Sequence, residues 1–344
     1  MSQPAVPPAS AADALKPLDP AWIERFRADF EQLCVRAFDG VLADDVRIAL
    51  AVSGGADSMA MLLLASSAFP GCVVAATVDH GLRPEAADEA AMVAQLCAQL
   101  GVPHATLTPA DPITGNNLQS QARAARYAAL FGWMQQLDAY LLLTAHHADD
   151  QAETLLMRLN RASGVAGLSG IRPVRRDIRP VLRPLLGWRR TELRAIIAAS
   201  GAPWVDDPTN ADPHHDRTRF RDLLASQSLL DPVALARSAE YLAQSNDALE
   251  ALVGNLWHRR WDDRTLQLRA NDLSREVQRR MLRRAIHETR TRHGVVLPAF
   301  SDSTNIEPLL DALDAGSGAT QAGVLAQVKG EIWHFRPAPP RRSL

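Results

Sequence analysis

Residues 47–65 read RIALAVSGGADSMAMLLLA, and this stretch decides how the chain is expected to fold. The run before Ser53 is apolar throughout, as in a strand buried on both faces, and the run after Ser58 has the character of a buried helix. Glycines let backbone N–H groups approach an anion closely, and a helix N-terminus adds a positive dipole end. The intervening SGGADS predicts a phosphate-binding loop, although a tight strand–helix turn capped by serine fits the same residues.

The same alternation of apolar strand and helix patterns continues along the chain as far as Asn160. Such alternation predicts an α/β fold, a doubly wound parallel sheet of Rossmann-like type. The polar ends of three strands, SGGADS, VDHG and AHHADD, should meet at the carboxyl edge of this sheet, where ligands bind. The chain then becomes rich in arginine and, later, mainly helical. We expect a disordered tail over 1–20, a catalytic domain over 21–226 and a mostly helical C-terminal domain over 227–344.

Composition excludes several classes of protein. The 344 residues carry a net charge of −2, and nearly all the basic residues are arginines, since lysine occurs only at positions 16 and 329. No apolar run reaches the roughly 18 residues that a membrane span needs, and the N-terminus lacks the pattern of a secretory signal. Three cysteines without a CxxC pair favour a reducing cytoplasm over a zinc or dithiol site. We therefore expect a cytoplasmic protein that binds no membrane.

Several motifs together resemble one family. SGGADS (53–58) lacks the lysine of a Walker A loop and resembles the SGGxDS loop of the N-type ATP pyrophosphatases, the PP-loop family. The order of the further motifs is similar to that of the tRNA(Ile)-lysidine synthetases over about residues 46–222. Those motifs are VDHGLR (78–83), QARAARY (121–127), HHADDQAETLLMRL (146–159), RPLL (183–186), VDDPTN (205–210) and RTRFR (217–221).

This resemblance implies an ATP-dependent ligase that acts on the isoleucine tRNA with a CAU anticodon. ATP would adenylate C2 of the wobble cytidine and release pyrophosphate, and free lysine would then displace AMP to give lysidine. The tRNA would then read AUA and accept isoleucine. The helical C-terminal domain would bind the tRNA. The lysine-binding residues, the rejection of methionine tRNA and the choice between monomer and homodimer are left open.

Site residues follow from the motifs. ATP would contact Ser53, Gly54, Gly55, Ala56, Asp57, Ser58, Asp79 and His80. Mg²⁺ would bind Asp57 and Asp150, because carboxylates at one sheet edge suit a cation that bridges to phosphates. The catalytic residues would be Asp57, Asp150 and Arg123, with the Arg123 guanidinium next to the reacting cytidine. Asp149 has the plainer interpretation of an acid at a helix start, as Asp79 and His80 have that of a turn cap.

Arginines supply the expected contacts to tRNA phosphates. The residues predicted for this role are Arg126, Arg172, Arg175, Arg176, Arg183, Arg217, Arg219 and Arg221. Solvated surface charge is the alternative for each of them. Of the two histidines that close the third strand, at least one is expected to pack beneath the site. Gln119 stands where the family usually has Glu, which puts a carboxylate role at that position in doubt.

Other functions use the same fold. Thiolation of tRNA by a related PP-loop enzyme needs cysteine or an iron–sulfur cluster near the nucleotide, and no cysteine ends a strand here. Amidation by a glutamine-dependent synthetase would need a glutaminase domain, for which the sequence gives no sign. A non-catalytic tRNA-binding module would not need the intact Ser53, Asp57, Ser58 and Asp150.

Overall fold

The computed structural model describes residues 15–38, 46–81, 85–110, 118–206, 216–302 and 304–339. The chain divides into two compact units, Met1–Ala243 and Gln244–Leu344. The division falls inside one long helix, whereas the sequence analysis placed the boundary between residues 226 and 227, before that helix begins.

The first unit alternates strands and helices as predicted. Its strands are β1 (Ile48–Ala51), β2 (Val73–Val78), β3 (His104–Leu107), β4 (Leu141–Leu143), β5 (Val174–Arg175) and β6 (Val181–Leu182). Its helices are α1 (Pro20–Phe38), α2 (Ala56–Ala68), α3 (Glu85–Gln99), α4 (Leu118–Gln136), α5 (Ala148–Leu159), α6 (Val165–Leu168), α7 (Arg190–Ser200) and α8 (Asp216–Ser226), and α9 (Pro232–Arg260) crosses the boundary between the units.

The six strands form one sheet in the order β3-β2-β1-β4-β6-β5. All neighbours are parallel except β5, which pairs antiparallel to β6 at the edge. Successive strand residues point to opposite faces, so Leu50 belongs to a core shared with α1, α2, α3 and α7, while Ala49 belongs to a core shared with α4. Helices thus cover both faces, which confirms the doubly wound α/β prediction.

Helix α2 shows why the opening stretch of sequence is so apolar. Residues Met59 to Ala65 are all buried, because α2 lies against the sheet on one side and contacts α1 and α7 on others. A helix that is apolar on every side is typical of such a central position. This burial fixes the N-terminus of α2 at the carboxyl end of β1, where the candidate site lies.

The second unit combines helices with a sheet. Its helices are the end of α9, α10 (Arg275–Arg292) and α11 (Glu307–Asp314), as the helical prediction requires. The sequence analysis did not predict the antiparallel sheet of the strands β7 (Trp261–Asp262), β8 (Gln267–Arg269), β9 (Gly318–Gln321), β10 (Val324–Lys329) and β11 (Ile332–Pro337), ordered β7-β8-β11-β10-β9. Trp333 and Leu282 are among the residues of the core between this sheet and its helices.

The helices in the described ranges do not have the length and hydropathy of a bilayer span, since none of them is both long enough and apolar enough to cross a membrane.

Candidate active site

The loop between β1 and α2 is held in shape by its own serines. The Ser58 hydroxyl accepts a hydrogen bond from the Ser53 N–H (3.1 Å) and donates to the Gly55 carbonyl (2.9 Å). Gly54 has φ +86°, a conformation that favours glycine, and its carbonyl accepts from the Val205 N–H at 3.0 Å. Gly55 is the N-cap of α2 and has no side chain to cap it, so the first N–H groups of α2 remain available to an anion.

Asp57, His147 and Asp150 meet beside this loop. His147 is the N-cap of α5: its Nδ1 accepts from the Asp150 N–H (3.3 Å), and Asp150 Oδ2 accepts from the His147 N–H (3.1 Å). The Nε2 atom of His147 lies 3.3 Å from Asp57 Oδ2 and 3.6 Å from Asp150 Oδ2. The two acids that the sequence analysis placed at one sheet edge are therefore joined through a single buried histidine.

The charges of this group are set by competition between burial and neighbours. Burial alone would raise the pKa of Asp150, but the positive charges of His147 and Arg217 outweigh it and lower the pKa to about 2. Burial alone would lower the pKa of His147, but Asp150 and Asp57 outweigh it and raise that pKa. Asp150 is thus ionised at neutral pH, with one oxygen 2.7 Å from the Arg217 guanidinium.

Glu153 binds three arginines a turn further along α5. Its side chain is 1% exposed, and its carboxylate accepts from Arg217 Nε at 2.7 Å, Arg221 Nε at 3.0 Å and Arg190 at 3.3 Å. Arg217 and Arg221 lie on α8, and Arg190 opens α7. Glu153 therefore ties both helices to the helix that carries Asp150.

Asp149 points to a different partner. It accepts from the Arg190 N–H at 2.8 Å and lies 3.2 Å from the Arg189 guanidinium. Burial would raise the pKa of Asp149, but these donors outweigh it and lower the pKa. The contacts fit the plainer interpretation of Asp149 as an acid that supports local structure.

Asp79 and His80 follow β2 at the same edge of the sheet. Asp79 Oδ1 accepts from the Gly81 N–H at 2.8 Å, the contact expected of a turn cap. Both ring nitrogens of His80 are buried and have no hydrogen-bond partner among the described residues. Burial, and after it the charge of Arg126, lowers the pKa of His80. His80 therefore presents a neutral imidazole near α4.

Four of the predicted arginines surround Tyr127. The Arg175 guanidinium lies 4.0 Å from the Tyr127 ring centroid and that of Arg123 lies 5.3 Å from it. Arg183 is buried and hydrogen-bonds the Tyr127 hydroxyl, and Arg126 is close enough to Arg123 and Tyr127 to interact electrostatically with both. The structure therefore collects residues from α4, β5 and the end of β6 into one group, which we call the Tyr127 cluster.

The other predicted arginines are dispersed. Arg176 is exposed and donates to the Arg36 carbonyl at 3.2 Å, in the segment that precedes β6 and so lies at the opposite edge of the sheet from the strand ends. Arg172 donates to the Ala243 carbonyl at 3.3 Å. Arg217 and Arg221 bind carboxylates of α5, while Arg219 on the same helix is exposed. Their role as tRNA contacts stays a prediction.

From the sequence, at least one of His146 and His147 was expected to pack beneath the site, and no role was assigned to Glu153 or Tyr127. The signal for a capping role of His147 was present, because a polar residue before a helix and an acid three residues later, here Asp150, form a capping-box pattern. Tyr127 lies four residues after Arg123, which places both on one helix face. Of the positions singled out from sequence, Asp207 to Asn210 and the side chain of Gln119 lie outside the described residues.

Known proteins are similar to this chain in sequence. The family model of the PP-loop domain matches residues 24–228. A tRNA(Ile)-lysidine synthase from Zymomonas mobilis is 41% identical over 89% of this chain and 94% of its own length. One from Novosphingobium aromaticivorans is 41% identical over 93% of this chain and 94% of its own. The chain belongs to the tRNA(Ile)-lysidine synthase family.

A solved structure supports the fold of the catalytic part of this lysidine synthase family member. The U34-tRNA thiolase of Methanococcus maripaludis, solved with its [4Fe-4S] cluster, matches with a TM-score of 0.51 and 16% identity, over 65% of this chain and 80% of that one. At such low identity the match concerns the fold alone. The match supports a fold of the PP-loop type for the sheet and its helices.

Proposed function

We propose that this chain ligates lysine to C2 of the wobble cytidine of tRNA(Ile) with a CAU anticodon, using ATP and forming lysidine. The reaction adenylates the cytidine, releases pyrophosphate, and lets the lysine amino group displace AMP. The observation that carries the proposal is the meeting of Asp57 and Asp150 at the N-terminus of α2, within a chain of the lysidine synthase family.

The loop of Ser53, Gly54, Gly55, Ala56, Asp57 and Ser58 would hold the ATP phosphates with the first N–H groups of α2. Asp79 and His80 would border the nucleotide. Mg²⁺ fits this site, because Asp57 Oδ1 is buried and has no hydrogen-bond partner in the described part of the chain. A carboxylate oxygen in that position can coordinate a hard cation. Asp57 and Asp150 would hold the ion, which when bound neutralises phosphate charge.

Asp150 would share its negative charge between the cation and its protein partners. Its oxygens already contact Arg217 and the His147 N–H, so the ion would join an existing set of charges. The described residues contain no cluster of three or more His, Cys, Asp and Glu side chains arranged around a metal. Such a sparse ligand set suits Mg²⁺, which keeps several waters and is usually shared with substrate phosphates.

Arg123 would contact the reacting cytidine and stabilise the charge that develops during adenylation. It is exposed on α4, and its charge reaches His146 next to the Asp57–His147–Asp150 group. The C-terminal residues 227–344 would contribute tRNA contacts. Free lysine and the CAU-bearing tRNA are thus the proposed co-substrates. The enzyme would act in the cytoplasm.

The cysteines argue against tRNA thiolation as the function of this chain. Cys34 and Cys97 are buried in helices, and burial raises the pKa of each thiol to about 12, which leaves little thiolate. Cys72 precedes β2 and so lies at the sheet edge opposite the candidate site. If replacement of all three by serine abolished activity, thiolation would become the better proposal.

The direct test supplies the protein with ATP and radiolabelled lysine, with and without the CAU tRNA. Incorporation that needs both ATP and tRNA, with AMP released, is the expected result. Asp57→Ala should abolish AMP release and leave tRNA affinity within about twofold, because the aspartate binds the cation and not RNA. Binding of tRNA without AMP release by the wild-type protein would indicate a non-catalytic module.

A further inference from the structure

The Tyr127 cluster has a buried floor and an exposed rim. Arg183 is 4% exposed and lies beside the Tyr127 side chain at the end of β6. Arg123 and Arg126 are exposed on α4 at i, i+3 spacing, one turn from Tyr127. Arg175 on β5 stacks on the tyrosine ring and pairs with Asp177 at 2.7 Å. The guanidinium groups of Arg175 and Arg123 thus both lie against the tyrosine ring.

Three of the four arginines in this cluster lack a carboxylate partner among the described residues, while Arg175 pairs with Asp177. No acidic side chain among the described residues forms an ion pair with Arg123, Arg126 or Arg183, and Arg183 Nε is buried without a hydrogen-bond partner there. Burial lowers the pKa of Arg183, whose side chain is the buried one of the three. A buried cation without a counter-charge is costly.

Another buried arginine shows what ordinary pairing looks like in this chain. Arg280 is also largely buried, yet it binds the carboxylates of Glu276 and Glu250 and the Asn246 side-chain oxygen. Arg183 instead donates to the Arg172 carbonyl and hydrogen-bonds the Tyr127 hydroxyl. Its Nε–H is left for a partner that is not among the described residues.

We propose that Arg123, Arg126 and Arg183 form a subsite for one backbone phosphate of the RNA substrate, adjacent to the target base, with Tyr127 as its positioning residue. The inference rests on the proposed function for the identity of the RNA. Arginine suits this role because its planar fork binds two phosphate oxygens and stacks on aromatic rings. Phosphate contacts fix the register of a nucleic acid, which here would bring one base to the carboxylate group.

The position in the sheet favours RNA over the triphosphate of ATP as the source of this phosphate. The loop that follows β1 already provides a cradle for the ATP phosphates, whereas Arg183 follows β6, and β4 lies between these strands. His146, which follows β4, is close enough to Asp150, Arg183 and Arg123 to interact electrostatically with each of them. The cluster is therefore next to the ATP site and separate from it.

The first experiment needs no variant. Anticodon stem-loop RNAs are made with a single neutral methylphosphonate linkage at each position of the loop in turn, and their affinity for the wild-type protein is measured. We expect a loss of roughly 10- to 100-fold at one linkage flanking the target cytidine, the size of a hydrogen bond to a charged group. Small and equal losses at every linkage would overturn the proposal, because they would show diffuse attraction.

The second experiment tests whether Arg183 is the group that contacts the sensitive linkage, by measuring protein variants with the same set of RNAs. Arg183→Gln and the milder Arg183→Lys should bind the unmodified RNA more weakly and lose the sensitivity to the methylphosphonate. Arg27→Gln is the matched control, because Arg27 is half-buried, donates to the Ala68 carbonyl and lies on α1, which packs on the other face of the sheet. If the Arg183 variants weaken the binding of an ATP analogue and leave the affinity for the RNA unchanged, the anion is an ATP phosphate and the proposal fails.

Variants of Tyr127 are measured with the same methylphosphonate RNAs. Tyr127→Leu should abolish the linkage-specific loss, and Tyr127→Phe should restore most of it, since the ring and its stacking remain. A tyrosine that served stability alone would lower the melting temperature without changing which linkage matters. Lysine incorporation by the wild-type protein is measured in parallel, so that failure of the proposed reaction is distinguished from failure of the phosphate subsite.

Discussion

Glu153→Gln tests whether ion pairs hold helix α8 in place. Thr218 is the one fully buried residue that α8 contributes, so the helix has little apolar surface to fix it. Its described links to α5 are the bonds from Arg217 to Asp150 and Glu153 and from Arg221 to Glu153. A side-chain amide keeps the shape of Glu153 and removes its charge, and its NH₂ group would face a guanidinium.

The size of the effect follows from these bonds. Each charge-assisted hydrogen bond contributes about 1.5–3 kcal/mol, and removal of one partner from a buried ion cluster costs about 3–5 kcal/mol. The side chains of Arg217 and Arg221 are 43% and 28% exposed and regain water when the charge is lost. We therefore expect Glu153→Gln to lower the free energy of unfolding by about 2–4 kcal/mol.

The assay is urea unfolding at pH 7, with hydrogen exchange of peptides from α5 and α8 to locate the loss. Glu24→Gln is the control, because Glu24 is 70% exposed and its pair with Arg27 spans 3.5 Å, so its cost should stay below about 0.5 kcal/mol. Equal stability of the two variants, with unchanged exchange in α8, would refute the view that Glu153 anchors this helix.

Three further perturbations follow from the geometry. Gly54→Ala places a Cβ 3.4 Å from Met92 and Val205 at φ +86°, so we expect a cost of about 1–2 kcal/mol from backbone strain and a higher KM for ATP, measured by AMP release. Burial lowers the pKa of His146 to about 4, so the contribution of His146 to the free energy of unfolding should fall by about 2 kcal/mol from pH 7 to pH 5, because the unfolded chain takes up a proton there. In urea titrations at the two pH values, His146→Gln should therefore lose about 2 kcal/mol less than the wild type. Leu64→Ala, at a fully buried position of α2, should cost about 2–5 kcal/mol, read from its urea midpoint.

Local pattern was enough to predict the sheet and the first half of the site. Continuous apolar runs marked β1, β2 and β4, and their polar ends placed Asp57 and Asp150 at one edge because parallel strands share a direction. In the second unit, β7 and β8 are two and three residues long and leave no periodic signal. The strands β10 and β11 have six residues each and alternate in burial around Gly330, a hairpin pattern that the sequence offered and that was missed. Glu153 and Tyr127 escaped for another reason, because their partners, apart from Arg123, lie on other elements.

Charge is distributed unevenly around the loop between β1 and α2, which argues for separate roles of the acidic and the basic side. On the side of α5, α7 and α8, the acids Asp149, Asp150 and Glu153 each have an arginine partner, so these charges serve mainly to fix the helices and orient Asp150. On the side of α4 and β6, Arg183 binds the Arg172 carbonyl and the Tyr127 hydroxyl, and it has no acidic partner among the described residues. An anionic polymer is attracted where positive charge is left uncompensated, so the RNA should approach over α4 while the carboxylates face the ATP phosphates.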